Sequence, residues 1–264
     1  MKGQRTERLV RIASRFMLGP SRHLSLTDLA QDFEVSKTVI SDDMEIIDKA
    51  FSDEMLGGIE VDRGRSGGAY FVPRVGEELR RRWLEQIAQV LSSPERSLPG
   101  GFVYYTDLIF DPRVASMLGL IMASRFSSLR PDTIMTSEVK GIPIAMFAAH
   151  ALGVPLSICR FRNRPSDGPA VAVHFPTGAG DVRTMYMGTR QMGSSKRVLV
   201  VDDFMRGGST VSGMLQMAKE FGSQVVGVGI FIAAQDPPRK SIPEYNALLT
   251  ISGIGDSLKI RVND

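Results

Sequence analysis

The sequence predicts an α/β chain in two parts: an N-terminal winged helix-turn-helix, then a larger parallel-sheet domain. Three observations carry this. Short helical periods split by a tight turn precede a hairpin with basic residues at its tip, all before residue 75. From about residue 100 onward, apolar strands alternate with helices, the pattern of a parallel sheet covered by helices. The run "VLVVDDFMRGGST" (198–210) halts an apolar strand at two adjacent carboxylates and turns through small residues toward a helix. The expected division is 1–74 and 75–264.

The elements follow in order. Arg5–Met17 has helical periodicity, with Leu9, Ile12, Ala13 and Phe16 on one face and Arg8, Arg11 and Arg15 clustered beside it. A second helix begins at Ser25, whose hydroxyl can cap the first turn with Asp28 completing a capping box; Leu26, Leu29, Ala30 and Phe33 form its core face. Ser36 can cap a third helix running to about Phe51. Val39, Ile40, Met44, Ile47 and Phe51 share one side, with Asp43 at its margin, and Lys37, Thr38, Ser41 and Glu45 lie opposite. "GGIEVDRGRSGGAYFVP" reads as a hairpin with Arg63 and Arg65 at its tip. Gly76–Leu91 reads as a helix leading into the second part, before Ser/Pro/Gly loop signals.

Composition is that of a globular protein, with 43% hydrophobic and 23% charged residues and a net charge of +3. The only cysteine is Cys159, so no internal disulfide forms, which suits a reducing cytosol. The opening "MKGQRTERLV" has no apolar signal core, and no apolar run reaches the roughly 18 residues of a membrane helix. The expectation is a cytoplasmic protein with no membrane partner. His23, His150 and His174 show no metal-ligand spacing, so no metal site is expected.

The chemistry of the first part follows from groove geometry. A helix entering a major groove meets base edges with its first turn, so Lys37, Thr38 and Ser41 are the candidate readers of double-stranded DNA. Arg63 and Arg65 can reach phosphates or the minor groove, and Arg5 and Arg8 can add phosphate contacts. Residues 1–74 carry slightly more Asp and Glu than Lys and Arg, so binding must rest on uneven placement; a protein-interaction module stays open. Glu34 stands at the turn where glycine would relieve left-handed backbone strain, and a turn of another geometry would accept it.

In an open parallel sheet, ligands sit beyond the carboxyl ends of the strands. "RVLVV" would deliver Asp202 and Asp203 to that rim, and Phe204, Met205, Arg206, Gly207, Gly208, Ser209 and Thr210 would turn into a helix at about Val211. Inward N–H groups, the helix dipole and the hydroxyls make a phosphate cradle. The carboxylates repel phosphate and suit hydroxyls, or a Mg²⁺ held with the ligand. A sugar phosphate has both parts.

"VLVVDDFMRGGST" resembles the phosphoribosylpyrophosphate (PRPP) motif of type I phosphoribosyltransferases. "TSEVKGIP" (Thr136, Ser137, Glu138, Val139, Lys140, Gly141 and onward) is similar to their pyrophosphate loop, and "AVAVHFPTGAGDVRTMYMG" to their hood loop. With a winged helix in front, and with "SPERSLPGG" and "DDFMRGGST", the chain resembles the purine operon repressors of Gram-positive bacteria. That resemblance implies a homodimeric transcription repressor of purine biosynthesis genes, a type I phosphoribosyltransferase-like fold, and PRPP as an effector that weakens operator binding without being transferred. It further implies the alarmone ppGpp as a competing ligand, and it places Phe102 and Tyr104 near the pocket as base or ribose contacts. Arg206 stands where relatives are expected to carry Lys.

A transferase also needs a nucleobase held in line and a closing hood. The tip "PTGAGD" has no Lys or Arg to clamp a leaving pyrophosphate, though Arg183 lies close. These absences favour binding over turnover, and the fused DNA-binding module and the family resemblance imply that no residue is catalytic. The alternative is a purine phosphoribosyltransferase with an accessory DNA-binding domain.

Overall fold

The computed structural model describes residues 2–62, 68–99, 102–178, 180–193, 197–253 and 257–263. Arg63 and Arg65 lie outside the described residues.

The head consists of α1 (Lys2–Leu18), α2 (Leu26–Asp32), α3 (Lys37–Asp53) and the antiparallel pair β1 (Gly57–Val61) and β2 (Ala69–Pro73). Both expected caps form: Ser25 Oγ accepts from Asp28 N–H, and Ser36 Oγ from Val39 N–H. Such caps contribute about 1 kcal/mol each by satisfying first-turn donors. Ile12, Phe16, Leu29, Ile40, Met44, Ile47 and Phe71 close a core of their own. Glu34 keeps the left-handed geometry (φ 53°), so the turn is not of another type; it holds the strain that glycine would relieve, a cost of about 1 kcal/mol. Asp43 is not marginal but wholly buried, with Arg5 Nε at 3.0 Å and Arg8 Nε at 2.5 Å.

The second part follows as α4 (Glu77–Leu91), β3 (Ser97–Leu98), β4 (Phe102–Val103), α5 (Thr106–Ile109), α6 (Pro112–Phe126), β5 (Thr133–Ser137), α7 (Gly141–Leu152) and β6 (Leu156–Cys159). It continues with β7 (Ala170–Pro176), β8 (Val182–Gly188), α8 (Thr189–Met192), β9 (Arg197–Met205), α9 (Ser209–Glu220), β10 (Gln224–Ala234), β11 (Asn246–Ser252) and β12 (Lys259–Val262). Six strands form one sheet in the order β12-β11-β10-β9-β5-β6, parallel except for β12. Alternation along β9 sends Leu199 and Val201 to one apolar layer, shared with α4, α6 and α7. Val198 and Val200 go to the other, shared with α9 and the β7–β8 hairpin.

The head docks at the amino end of the sheet. Ser21 Oγ donates to the Ala151 carbonyl at the end of α7 (2.9 Å), and Val75 N–H donates to Ser124 Oγ (2.8 Å). A cleft of about 840 Å³ opens there, between β1–β2 and residues 127–131, remote from the twin aspartates. Among the described residues no helix is long and apolar enough to cross a membrane.

Candidate functional site

Chain order fixes where the site falls. From β5 the chain moves outward to β6, then returns to β9 on the other flank of β5 and continues through β10 to β11. The crevice between the carboxyl ends of β5 and β9 is therefore the topological switch point, where ligands bind in open parallel sheets. Ser137 ends β5 there, and Asp202 and Asp203 approach from β9.

The aspartates are not past the strand end, as the sequence suggested. β9 runs on to Met205, and the carboxylates are only 2% and 9% exposed. Consecutive strand residues diverge. Asp202 accepts from Ser137 Oγ (3.1 Å), while Asp203 Oδ2 accepts from the Tyr105 hydroxyl (2.5 Å). Burial first, and the Asp203 charge second, hold the Asp202 carboxyl well above the usual range. Burial, and then the Asp202 charge, push the nearby Cys159 thiol up. No ion pair among the described residues reaches either aspartate.

Two helices begin around this pair, each without a side-chain cap: α7, after Lys140, and α9, after Gly208. Their first N–H groups and positive dipole ends can receive anionic oxygens. Gly208 sits at φ 87°, the left-handed turn that starts α9 at Ser209, two residues before the expected Val211. At Gly141 a Cβ would lie 2.3 Å from Thr136 Oγ1 and 2.8 Å from Asp202 Oδ1, so only glycine lets α7 start against the acids. The Thr136 hydroxyl is buried with no hydrogen-bond partner among the described residues. Behind the turn, Ser241 N–H donates to the Gly207 carbonyl (2.7 Å), and Lys240 Nζ to the carbonyls of Arg206 and Ala234 (2.6 Å each).

The expected binding residues divide by placement. Asp202, Asp203, Ser137, Gly207, Gly208, Ser209, Thr210, Thr136, Lys140 and Gly141 come together around the crevice. Met205 does not face it; its side chain is buried among Met214, Ile230 and their neighbours. The Glu138 carboxylate is turned away, accepting from Phe161 N–H (2.8 Å) and Arg160 Nη1 (3.2 Å), and Val139 is exposed. Phe204, Phe102 and Arg206 form a layer: ring centroids 6.1 Å apart, with the guanidinium 5.6 Å above Phe102. Tyr104 is exposed and pairs with Arg96. Sequence reasoning missed Tyr105. Burial alternates, with Val103 and Tyr105 inward and Phe102 and Tyr104 outward, so Tyr105 faces the core as the residue before α5.

On the head, Lys37, Thr38 and Ser41 stand exposed on the first turns of α3. Arg8 does not stand ready for phosphate: it is buried against Asp43, and Arg5 is half-exposed on the same carboxylate. Arg15 pairs with Asp32 (2.8 Å), and Arg11 lies 4.7 Å above the Phe33 ring. The helix-one arginines are therefore largely engaged within the head.

Fold and site together define a winged-helix protein with a phosphoribosyltransferase-type domain. Residues 4–73 match the family described as "Bacterial purine repressor, N-terminal", and residues 110–254 match "Phosphoribosyl transferase domain". The chain is 34% identical over 255 residues to the purine biosynthesis transcriptional repressor PurR of Bacillus subtilis, covering 96% of this chain and 90% of that one. It is 32% identical over 252 residues to the purine biosynthesis transcriptional activator PurR of Lactococcus lactis, covering 95% and 93%. It is also 36% identical over 135 residues to the xanthine phosphoribosyltransferase of Geobacillus thermodenitrificans, covering 49% and 69%. The adenine phosphoribosyltransferase structure from Rhodothermus marinus shares the fold at 18% identity (TM-score 0.54; 64% of this chain, 99% of that one). The chain belongs to the family of purine biosynthesis transcriptional regulators.

Proposed function

We propose that this protein is a cytoplasmic, homodimeric, DNA-binding repressor of purine biosynthesis genes whose operator affinity is lowered by PRPP, without transfer of the phosphoribosyl group. The supporting observation is the crevice itself: two buried carboxylates with no ion pair among the described residues, facing hydroxyl donors and flanked by two uncapped helix starts. A ribose diol satisfies the first feature and its phosphates the second.

In this reading Asp202 and Asp203 take the ribose hydroxyls. Arg206, Gly207, Gly208, Ser209 and Thr210 take the 5-phosphate. Thr136 to Gly141 take the diphosphate through backbone N–H groups and the Lys140 charge. Phe102 and Phe204 flank the ribose. The carboxylates and the Ser137 hydroxyl form an all-oxygen set compatible with Mg²⁺, which when bound neutralises the diphosphate. The same cradle suits ppGpp as a competitor. Lys37, Thr38 and Ser41 read bases, Arg63 and Arg65 reach phosphates or the minor groove, and the division falls at 1–74 and 75–264.

Helix α7 links the two parts. It starts at Gly141 beside Asp202 and ends at Leu152, where Ala151 holds Ser21. Its length is about 18 Å at ~1.5 Å per residue, beyond the roughly 8 Å screening length at physiological salt. Bound polyphosphate thus lowers DNA affinity chiefly through a change in packing, with reciprocal coupling. The effect of PRPP on operator binding should persist as salt rises, whereas direct charge competition fades.

The experiment is a PRPP titration that follows operator release and pyrophosphate production together. Release without pyrophosphate, with xanthine, guanine, adenine and hypoxanthine each supplied, is the expected result. Pyrophosphate production would favour the second reading, a purine phosphoribosyltransferase with an accessory domain, which the similarity to the Geobacillus transferase supports.

A further inference from the structure

Tyr105 lies between the two halves of the crevice. Its hydroxyl donates to Asp203 Oδ2 (2.5 Å), and its ring lies 4.7 Å below the Lys140 ammonium, stacks with Phe204 at 6.1 Å and meets Phe231 edge-on at 6.3 Å. The side chain is 7% exposed, and Val103, two residues back, is buried beside it in the same apolar layer. A phenol is not needed for such packing; phenylalanine would fill the same space. The hydroxyl is explained only by the carboxylate it meets.

We propose that Tyr105 is the positioning residue of the effector site: its hydroxyl occupies one oxygen of Asp203 and fixes the carboxylate, so that the remaining oxygen meets a ribose hydroxyl. The assignment rests on the ribose-phosphate reading above. A carboxylate with a fixed rotamer loses less freedom on binding. The groups packed around the aspartate pair are Tyr105 before α5, Lys140 before α7 above the Tyr105 ring, Ser137 on β5 and Cys159 on β6. Among these, Tyr105 is the donor to Asp203, so loss of its hydroxyl leaves that carboxylate free to turn.

The test uses Tyr105→Phe in the full chain, which keeps every ring contact and removes one oxygen. PRPP and inorganic pyrophosphate are titrated calorimetrically into wild type and variant at one fixed pH. PRPP affinity should fall about tenfold. Pyrophosphate, which lacks ribose hydroxyls, should change by less than about twofold. Equal losses for both probes would mark a packing effect and overturn the assignment. Unchanged or tighter PRPP binding would overturn it too. A wild-type chain that takes up no PRPP sinks the ribose reading itself, a different result from a variant that binds as well as wild type.

Discussion

Asp43 in the head and the Asp202–Asp203 pair in the sheet domain are carboxylates in similar burial with opposite company. Asp43 is met by two guanidinium groups. Asp202 and Asp203 are met by hydroxyls and by each other. A buried carboxylate with its counter-charge is part of the fold. One left with neutral donors at a strand's carboxyl end, beside open helix starts, is held ready for a ligand. Burial does not separate structure from function here; the partner does.

The largest expected effect lies on the structural side. Asp43→Ala leaves Arg8 buried without its counter-charge and should cost about 3 kcal/mol of stability in the head. Denaturation followed by circular dichroism should show an early transition, while fluorescence of Trp83, which packs against the sheet-domain core, changes later. If Asp43→Ala unfolds no earlier than wild type, the contrast fails on its first side. Asp202→Ala should do the reverse, lowering PRPP affinity by about 100-fold through two lost charge-assisted bonds, with operator binding and folding kept. Collapse of operator binding in a folded Asp202→Ala chain would contradict the separation of the two parts.

Smaller effects sharpen the same contrast. Lys37→Ala should weaken operator binding about tenfold with PRPP affinity unchanged, read by fluorescence anisotropy at fixed salt. Asp202→Asn probes pH. The folded pKa of Asp202 lies above its unfolded value, so the folded chain binds the extra proton between the two. Stability from this group is present below about pH 4 and is lost as pH rises through the folded value. The stability difference between Asp202→Asn and wild type should therefore open only above about pH 4 and favour the variant increasingly up to that value. A difference independent of pH would show that Asp202 is not strained by burial.

Much of this arrangement was legible in the sequence. Caps at Ser25 and Ser36, the hairpin strands and the strand–turn–helix around the twin acids follow from local rules, and they stand where local chemistry places them. What was misplaced depends on distant partners. Periodicity puts Asp43 at a helix margin, but arginines from α1 draw it inside, and the same contact withdraws Arg8 from the surface. Small polar residues suggest a strand ending before Asp202, yet pairing with β10 carries β9 on to Met205. Tyr105 could not be singled out from "FVYYTD": alternation from Val103 marks it as a core position, and the partner that gives its hydroxyl a role lies 98 positions away.

Relatives of this chain are named both repressor and activator, so the coupling between effector and DNA is the central claim and the point to test. The most direct measurement is PRPP affinity by calorimetry on free protein and on protein saturated with operator. The account predicts weaker PRPP binding to the operator complex, by the same factor, within about 5- to 150-fold, by which PRPP weakens operator affinity. Equal PRPP affinity in the two states would contradict it.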